Sequence, residues 1–476
     1  MKSYIFFVIL PFLLTGCFGT PKVTETPIKT LITENKPQNS NIFFKSQQWW
    51  LSTNNQQLIS LIDEVLKTNS EIKIAKLNIE KAMYTLNSTK NSNLSSIDLG
   101  GSWNRNHVLT SHVKTDLPIK DIKNSDTIDM GSLAIQGQYI FDIWGKFDAL
   151  QNQAQYSKLA TELQSEWSTL TLSTTVANLY GKYILLTKEE NILNEKLNIA
   201  KEVLNYQNIL YKTGLGNKEN ILTADNNVNS LNQKIAEIAT QKITLKNSFY
   251  SLVGNVKSKN IDEILSNIDY NTPEFDYFLN IPQYIDSDIV VNRPDVKYYL
   301  ALINSQKENL KSLKADFYPR FSITGKYEYQ NLNIQDLLKA HSTLWEFGPS
   351  LYLPLFNRNT LTQNYNIAGV NLNIFIENYN NNLIKAYQDI NNNLNALKTS
   401  KTNNELEEKN YNNVKSTYND NDTLYQIGSI SKLELLNQKN NLLDTKLSYI
   451  ENNFTLYTNQ INLIGSLGGY YKNEVK

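Results

Sequence analysis

Two short stretches, YKTGLGNKENIL (Tyr211 to Leu222) and YQIGSISKLELLN (Tyr425 to Asn437), interrupt long polar segments that have the composition of helices. Each stretch contains a glycine and a short break, and then an amphipathic pattern restarts abruptly. Glycine tolerates the left-handed backbone with which many helices end. We therefore predict that each stretch is a turn at which one long helix ends and a second doubles back along it.

The segment before the first turn shows a sustained heptad pattern. Leu163, Leu170, Ala177 and Ile184 are seven residues apart, and further apolar series continue this spacing toward Tyr211, which predicts a coiled coil. Lys146 to Lys212 is 67 residues, or ~100 Å as one helix. Return helices are predicted over Asn217–Leu252 and Ser431–Leu463, and two further helices over Leu58–Lys90 and Asp295–Ala315.

Four segments alternate with a period of two: Ile97–Asn104, Leu133–Phe141, Phe321–Gln330 and Trp345–Leu355. Aromatic and aliphatic residues lie on one predicted face, and Lys, Glu and Gln lie on the other. Two interpretations fit this pattern: half-buried hairpins of a soluble sheet, or the lipid-facing and water-facing sides of a membrane barrel. Four strands are too few to close a barrel, for which about eight is the minimum. A barrel would therefore require several chains.

The two halves of the chain correspond. Trp144 and Phe356 are 212 residues apart, and Gly214 and Gly428 are 214 apart, within similar surroundings. We expect two internal repeats. The predicted organisation is a signal peptide at 1–16, an N-terminal tether at 17–48, a first repeat at 49–256, a linker with short helices at 257–292 and a second repeat at 293–476. The hairpins are expected at about 95–141 and about 319–356, and the helix turns near 214 and 428.

The N-terminus has the features of a secretory signal. Lys2 precedes the apolar run Ile5 to Leu14, which is too short to span a membrane. The following LTGC ends at Cys17, the only cysteine of the chain. We expect Cys17 to carry a covalent lipid, in the manner of a bacterial lipobox, and Phe18 after it suits an outer-membrane address. The alternative is an ordinary signal peptide with an incidental cysteine.

Composition gives no support for catalysis or for nucleic-acid binding. The 46 basic residues balance 46 acidic ones, so no basic surface is expected to attract nucleic acid. His107 and His112 could share a metal ion, but their spacing suits neither one helix face nor one strand face, and His341 is distant in sequence. We therefore expect neither an enzyme nor a metal site, and no cofactor besides the lipid on Cys17.

Several motifs together resemble the outer-membrane factor family, the TolC-like efflux lipoproteins. These are QQWW, FDIWGKF, NRPDV, FYPRFSITG, LPLF, the two glycine turns and the terminal LGG, in order along nearly the whole mature chain. The resemblance implies a mixed α+β membrane protein in which a homotrimer closes a twelve-stranded outer-membrane β-barrel, four strands per chain. A long periplasmic α-helical coiled-coil barrel would continue it.

The resemblance also implies partners and a task. Such channels contact outer-membrane lipid, dock to a periplasmic adaptor protein and an inner-membrane pump, and act as passive exit ducts for drugs or toxic compounds. A type I protein-secretion duct has the same fold and stays open as an alternative. A structural or adhesive coiled-coil lipoprotein, based on the heptads and the tether alone, is a second alternative.

The same resemblance assigns the two turns to the periplasmic end of the tunnel. It implies adaptor-docking tips at Thr213, Gly214, Leu215, Gly216, Gly428, Ser429 and Ile430. It also implies a periplasmic gate at Leu433, Glu434, Asn437, Glu219 and Asp225. Asn437 stands where many relatives have an aspartate, and Glu434 is the nearest substitute for that carboxylate. The alternative is that these acidic residues are ordinary surface groups.

Overall fold

A computed structural model describes residues 21–30, 42–43, 48–53, 55–92, 95–109, 125–267, 287–332, 334–469 and 472–473. Its helices are α1 Gln56–Thr68, α2 Ser70–Ser92, α3 Lys146–Lys212, α4 Lys218–Leu252, α5 Lys259–Ser266, α6 Ser287–Asn292, α7 Pro294–Ala315, α8 Arg358–Gln426 and α9 Lys432–Ser466. Its strands are β1 Ile42–Phe43, β2 Ser95–Leu109, β3 Ser125–Phe141, β4 Arg320–Asn331, β5 Thr343–Tyr352 and β6 Lys472–Asn473. Cys17 and His112 lie outside the described residues, as do the predicted signal peptide at 1–16 and positions 268–286 of the predicted linker 257–292.

The predicted long helix Lys146–Lys212 is confirmed with the same bounds. Its counterpart α8 has 69 residues, and each long helix is followed by a return helix of 35 residues. The predicted single helix Leu58–Lys90 is wrong, because it divides at Asn69. The Asn69 amide donates to the carbonyl of Leu252 at 2.8 Å, and its Oδ1 accepts from the backbone N–H of Glu71 at 2.8 Å, which starts a new helix.

Four of the strands form one antiparallel sheet in the order β2-β3-β4-β5. The observed strands extend the predicted segments, except that β5 ends at Tyr352, shortly before Pro354. The short strands β1 and β6 pair separately. Among the described strands, β2 and β5 are the sheet edges.

The sheet has one apolar face and one polar face, as the alternation predicted. Its register aligns Leu99, Ile135, Tyr327 and Trp345 in one row across the four strands. All four side chains are exposed, Leu99 by 74% and Trp345 by 77%. The neighbouring row, on the opposite face, consists of Asp98, Gln136, Lys326 and Glu346. Such large exposed apolar side chains mark this face as a contact surface.

The contacts of the chain divide it into two units, and each unit draws on both halves of the sequence. One consists of Met1–Ile28, Glu80–Ala160 and Tyr299–Asn378, and it includes the four-stranded sheet. The other consists of Lys29–Ile79, Thr161–Tyr298 and Tyr379–Lys476.

In the second unit, α3 packs against two helices. One core cluster contains Leu193 and Leu197 of α3 with Leu231 of α4. Another contains Ile192 of α3 with Leu436 of α9. Leu193 and Leu197 continue the predicted heptad spacing and are buried, so this part of the heptad pattern forms a buried seam, as the periodicity predicted, whereas Tyr211 at its end is exposed.

Residues 21–30, which fall in the predicted tether, lie against helix α8. The backbone N–H of Thr26 donates to Oδ1 of Asn373 at 2.9 Å, and the amide of Asn373 donates to the carbonyl of Thr24 at 3.0 Å. The absence of a side chain at Gly369 makes room for Val23, because a Cβ there would lie 2.5 Å from a Val23 methyl carbon. This part of the N-terminal segment is therefore held by specific contacts.

Among the helices in the described ranges, none has the length and apolar content needed to cross a membrane.

Candidate functional site at the helix turns

The first turn ends α3 with a Schellman motif. Gly214 has φ +79°, a conformation that L side chains rarely adopt. The N–H of Leu215 donates to the carbonyl of Leu210 at 2.8 Å, and that of Gly214 donates to the carbonyl of Tyr211 at 3.1 Å. These two bonds satisfy carbonyls that the end of the helix leaves without partners.

The second turn repeats this geometry at the end of α8. Gly428 has φ +77°. The N–H of Ser429 donates to the carbonyl of Leu424 at 2.8 Å, and that of Gly428 donates to the carbonyl of Tyr425 at 2.9 Å. The two predicted turns are confirmed, and a glycine ends the helix in each by the same pair of hydrogen bonds.

Each return helix starts with a side-chain cap. Oδ1 of Asn217 accepts from the backbone N–H of Asn220 at 2.8 Å. Oγ of Ser431 accepts from the backbone N–H of Glu434 at 3.2 Å. Ser431 and Glu434 have the spacing of a capping box, and an acidic residue in the first turn also suits the helix dipole. The position of Glu434 is therefore already explained by helix initiation.

The predicted gate and tip residues are mostly exposed. Thr213, Gly214, Leu215, Gly428 and Ser429 are exposed, and Gly216 and Ile430 are half-buried. Leu215 is exposed by 80%.

On the return helices, Leu433 is half-buried, and Glu434, Asn437, Glu219 and Asp225 are exposed. Leu433 and Asn437 are four residues apart, so they lie on one face of α9. Asp225 is near Asn229, whose amide is 3.4 Å from Oδ2 of Asp225. No contact brings the acidic residues of the two turns together within the described part of one chain.

Sequence reasoning missed a polar contact beside the second turn. Nζ of Lys432, the first residue of α9, is 3.1 Å from Oε1 of Glu202 on α3. The same ammonium lies 5.6 Å from the ring centroid of Tyr425, at the end of α8. The hydrogen bond to Glu202 raises the pKa of Lys432 above its ordinary value. The Lys432 side chain thus contacts α3 and the end of α8 from the start of α9.

Further ion pairs follow α3 away from the turns. Lys196 of α3 pairs with Asp444 of α9. Lys242 of α4 pairs with Glu190 of α3 at 2.7 Å. The heptad pattern could have indicated these positions, since charged residues beside a coiled-coil seam commonly pair between helices.

The described residues contain no group of three or more His, Cys, Asp or Glu side chains arranged to hold a metal ion. His107 is in β2, with Nδ1 3.4 Å from the hydroxyl of Thr127.

Comparisons with known proteins agree on one family. The model of the family described as outer membrane efflux protein matches residues 61–255 and 287–469. The chain is 23% identical to the cation efflux system protein CusC of Escherichia coli, over 97% of this chain and 99% of that one. It is 22% identical to the toluene efflux pump outer membrane protein TtgC of Pseudomonas putida, over 98% and 96% of the two chains.

A solved structure shares the fold. The chain resembles the CmeC outer membrane channel of Campylobacter jejuni with a TM-score of 0.77 and 22% identity, over 96% of each chain.

Proposed function

This chain belongs to the outer membrane efflux protein family, and we propose that three copies of it form a passive exit duct through the outer membrane. The observation that carries the proposal is the four-stranded sheet, whose apolar face exposes whole rows of large side chains while its other face is polar. A membrane barrel needs this division, with apolar side chains toward lipid and polar side chains toward water.

The sheet edges support an assembly of several copies. Strands β2 and β5 each have one neighbour in the described sheet, and a lipid-exposed edge would leave backbone groups without hydrogen bonds. Four strands cannot close, whereas three copies supply twelve strands in a single ring. A homotrimer therefore leaves no edge.

Exposed apolar residues on the helices support the same assembly. Ile367, Val370 and Ile374 of α8 are each at least half exposed. Their spacing of three and four residues puts them on one helix face. We propose that this face packs against a neighbouring copy, in a periplasmic α-helical barrel that continues the β-barrel.

The partners follow from the family and from the turns. We propose that the tips at 213–216 and 428–430 dock to a periplasmic adaptor, which connects the duct to an inner-membrane pump. Leu433 would form the constriction, with Asn437 one turn further along α9. Glu434, Glu219 and Asp225 would add acidic groups around it, and the asparagine makes this ring less anionic than an aspartate would.

The anchor remains a proposal based on the sequence. Cys17 in LTGC would carry the acyl chains that hold the N-terminus in outer-membrane lipid. Replacing Cys17 with Ser should abolish acyl labelling, and unchanged labelling would refute the assignment.

Efflux of small compounds is favoured over the two alternatives by the family match. CusC is named for cations and TtgC for toluene, so the family name does not fix one cargo. We propose that the pump selects the cargo and that the duct conducts it passively. A protein-secretion duct keeps the same channel, whereas an adhesive fibre would not need a barrel.

The test is deletion of the gene in its own host, followed by measurement of ethidium retained in de-energised and re-energised cells. The proposal predicts higher retention in the deletion strain and restoration by the wild-type gene. A variant carrying Gly428→Pro alters the tip and leaves the barrel sequence intact. It should restore low ethidium retention less completely than the wild-type gene does. Equal retention in all strains would contradict efflux of organic cations.

A further inference from the structure

The loop that joins β4 to β5 folds back onto the sheet. It comprises Leu332 and residues 334–342, at the end of the sheet that is opposite to the connections with α7 and α8. A Cβ added at Gly131 of β3 would lie 3.5 Å from a methyl carbon of Leu337 and 3.5 Å from Cε3 of Trp103. Gly131 is itself buried. The Leu337 side chain therefore covers β3 beside the indole of Trp103.

The register identifies the face that Leu337 covers. Trp103, Gly131 and Asn331 form one row across β2, β3 and β4. The row that contains Leu99 and Ile135 lies four residues away along the strands. Because side chains alternate between the faces with a period of two, both rows belong to the same face. The β4–β5 loop therefore folds onto the apolar face of the sheet.

Hydrogen bonds hold the loop in this position. Nδ2 of Asn331 donates to Oγ of Ser342 at 2.6 Å, and that hydroxyl donates to the carbonyl of Asp336 at 2.7 Å. Ser342 is exposed by only 3%. The N–H of Ser342 also donates to the carbonyl of Lys339 at 2.9 Å. The polar amide of Asn331 thus has a partner on the apolar face, and the loop is tied to the end of β4.

Aromatic side chains lie at the same level of the sheet as the loop. Trp103, Tyr327, Tyr329 and Trp345 belong to three successive rows of the apolar face. The rings of Tyr327 and Tyr329 meet edge to face, with centroids 5.6 Å apart. Trp and Tyr concentrate where a membrane barrel passes from lipid chains to water. This level of the sheet therefore has the composition of a membrane boundary.

The apolar face ends one row beyond this level. Arg105 pairs with Asp129 across β2 and β3, with Nε and Oδ1 2.6 Å apart. These two residues lie two positions beyond Trp103 and Gly131, and so they are on the same face. The change from aromatic rings to an ion pair indicates the position at which the lipid ends. The loop lies at that position.

The loop itself presents an apolar side chain. Leu338, next to Leu337, is exposed by 68%. The acidic and basic residues of the loop, Asp336 and Lys339, pair with each other. A fixed loop that neutralises its own charges and exposes a leucine suits the boundary between headgroups and acyl chains.

We propose that the β4–β5 loop inserts Leu338 into the outer leaflet of the membrane, at the boundary between headgroups and acyl chains. The occupant is lipid, because the apolar face continues without interruption up to the loop. The loop then lies outside the duct and does not obstruct its outer mouth. This inference rests on the proposed membrane position of the sheet.

The test measures the membrane contact of single residues in the full-length protein. Leu338→Cys is labelled with the fluorophore nitrobenzoxadiazole, and the protein is inserted into vesicles of phosphatidylethanolamine and phosphatidylglycerol. The quencher is a phospholipid with a doxyl group on the upper acyl chain. Trp345→Cys and Glu346→Cys are the matched controls, because these neighbours in β5 lie on the apolar and the polar face. Wild-type protein, treated in the same way, corrects for any label on Cys17.

The label at 338 should lose fluorescence by the same factor as the label at 345, and the label at 346 should not be quenched. Quenching at 345 without quenching at 338 would overturn the loop contact alone. Equal quenching at 345 and 346 would also count against the proposed membrane face. These outcomes separate a failure of this inference from a failure of the proposed function.

A second variant tests the contact that positions the loop. Leu337→Asp, combined with Leu338→Cys, should abolish lipid quenching at 338, because an aspartate would leave the apolar surface of Gly131 and Trp103. Unchanged quenching would overturn the role of Leu337 in seating the loop. If this double variant fails to assemble, the comparison of the labels at 338, 345 and 346 decides the question.

Discussion

Nζ of Lys432 lies 3.1 Å from Oε1 of Glu202, so the first residue of α9 is tied to α3 beside the second helix turn. The side chains are 37% and 50% exposed, and such a pair contributes about 0.2–1 kcal/mol. A contact of that strength can bias the position of a helix end, and it can also be broken when a partner protein docks. We call this ion pair the latch, because it connects the helix pair α3 and α4 to the helix pair α8 and α9 of the same chain.

Removal of the ion pair between Lys432 and Glu202 should release the start of α9 from α3. Lys432→Ala and Glu202→Ala are each expected to raise the resting conductance of the purified channel, and the double variant should add little to either single change. Exchanging the two residues, Lys432→Glu with Glu202→Lys, should return conductance toward the wild type. Lys439→Ala on the same helix is the control. Additive single effects would show that the two residues act separately.

The latch also has a defined pH dependence. The pKa of Lys432 is raised in the folded protein. The stabilisation that this ion pair gives to the folded protein is therefore fully present below the ordinary lysine pKa, and it is lost as pH rises through the raised value. Wild-type conductance should therefore rise in alkaline buffer more steeply than that of Glu202→Ala. Parallel pH profiles would count against a role for this ammonium.

Gly181 is a close-packing position between α3 and α9. A Cβ at this residue would lie 2.5 Å from Cε1 of Tyr457, whose buried hydroxyl donates to the carbonyl of Ala177 at 3.1 Å. Gly181→Ala should lower the free energy of unfolding by about 1–3 kcal/mol, because the ring is held and the core cannot easily expand.

Gly465→Ala is the matched control for Gly181→Ala. Gly465 is in α9, and its added Cβ would meet Thr174 at an ordinary 3.6 Å. Gly465→Ala should raise the free energy of unfolding by up to about 1 kcal/mol, because alanine has a higher helix propensity than glycine. Chemical denaturation measures the free energy of unfolding of both variants. Equal destabilisation of the two would refute the packing argument.

Arg293 is a buried junction of the second unit, exposed by only 3%. Its guanidinium donates twice to Asp295, at 3.0 and 2.9 Å, and once to the carbonyl of Ser466 at 2.9 Å. It also faces the ring of Trp167. Arg293→Ala should lower the free energy of unfolding by about 3–5 kcal/mol, because the buried carboxylate of Asp295 is left without its partner.

Arg293→Lys should recover little of that loss, since an ammonium cannot reproduce the planar fork of donors. Lys409→Ala, an exposed change on α8, should stay within about 0.5 kcal/mol of wild type. Full recovery by lysine in thermal unfolding would show that only the charge matters.

Glu189 lies half-buried in α3, and burial raises the pKa of its carboxyl. A raised carboxyl pKa means that the charged form is disfavoured in the folded state, so stability falls as pH rises through the window above the ordinary value. Glu189→Gln should therefore raise the melting temperature at pH 7 and lose this advantage near pH 4. An advantage that does not change with pH would contradict the burial argument.

Local chemistry explains which parts of the fold were predictable. The turns could be identified because Gly214 and Gly428 adopt positive φ, and glycine is the residue that does so without strain. The strands could be identified from alternation, which also assigned their apolar face. The heptads located the buried seam of α3 for the same reason.

Long-range contacts were not predictable from local pattern. The break at Asn69 depends on the carbonyl of Leu252, which lies 183 residues away in sequence. Lys432 and Glu202 are 230 residues apart, and their pairing follows from the packing of α9 on α3. Such contacts are set by tertiary structure, and single-sequence patterns carry no direct record of them.

We propose that copies of this chain form a channel with a gate at the helix turns. Single-channel recording in planar bilayers tests it most directly, with purified wild-type protein and the Lys432→Ala and Glu202→Ala double variant at equal amounts. We expect discrete conductance steps from both proteins, with larger or more persistent openings from the double variant. Silent bilayers with both proteins, although both are inserted, would contradict it.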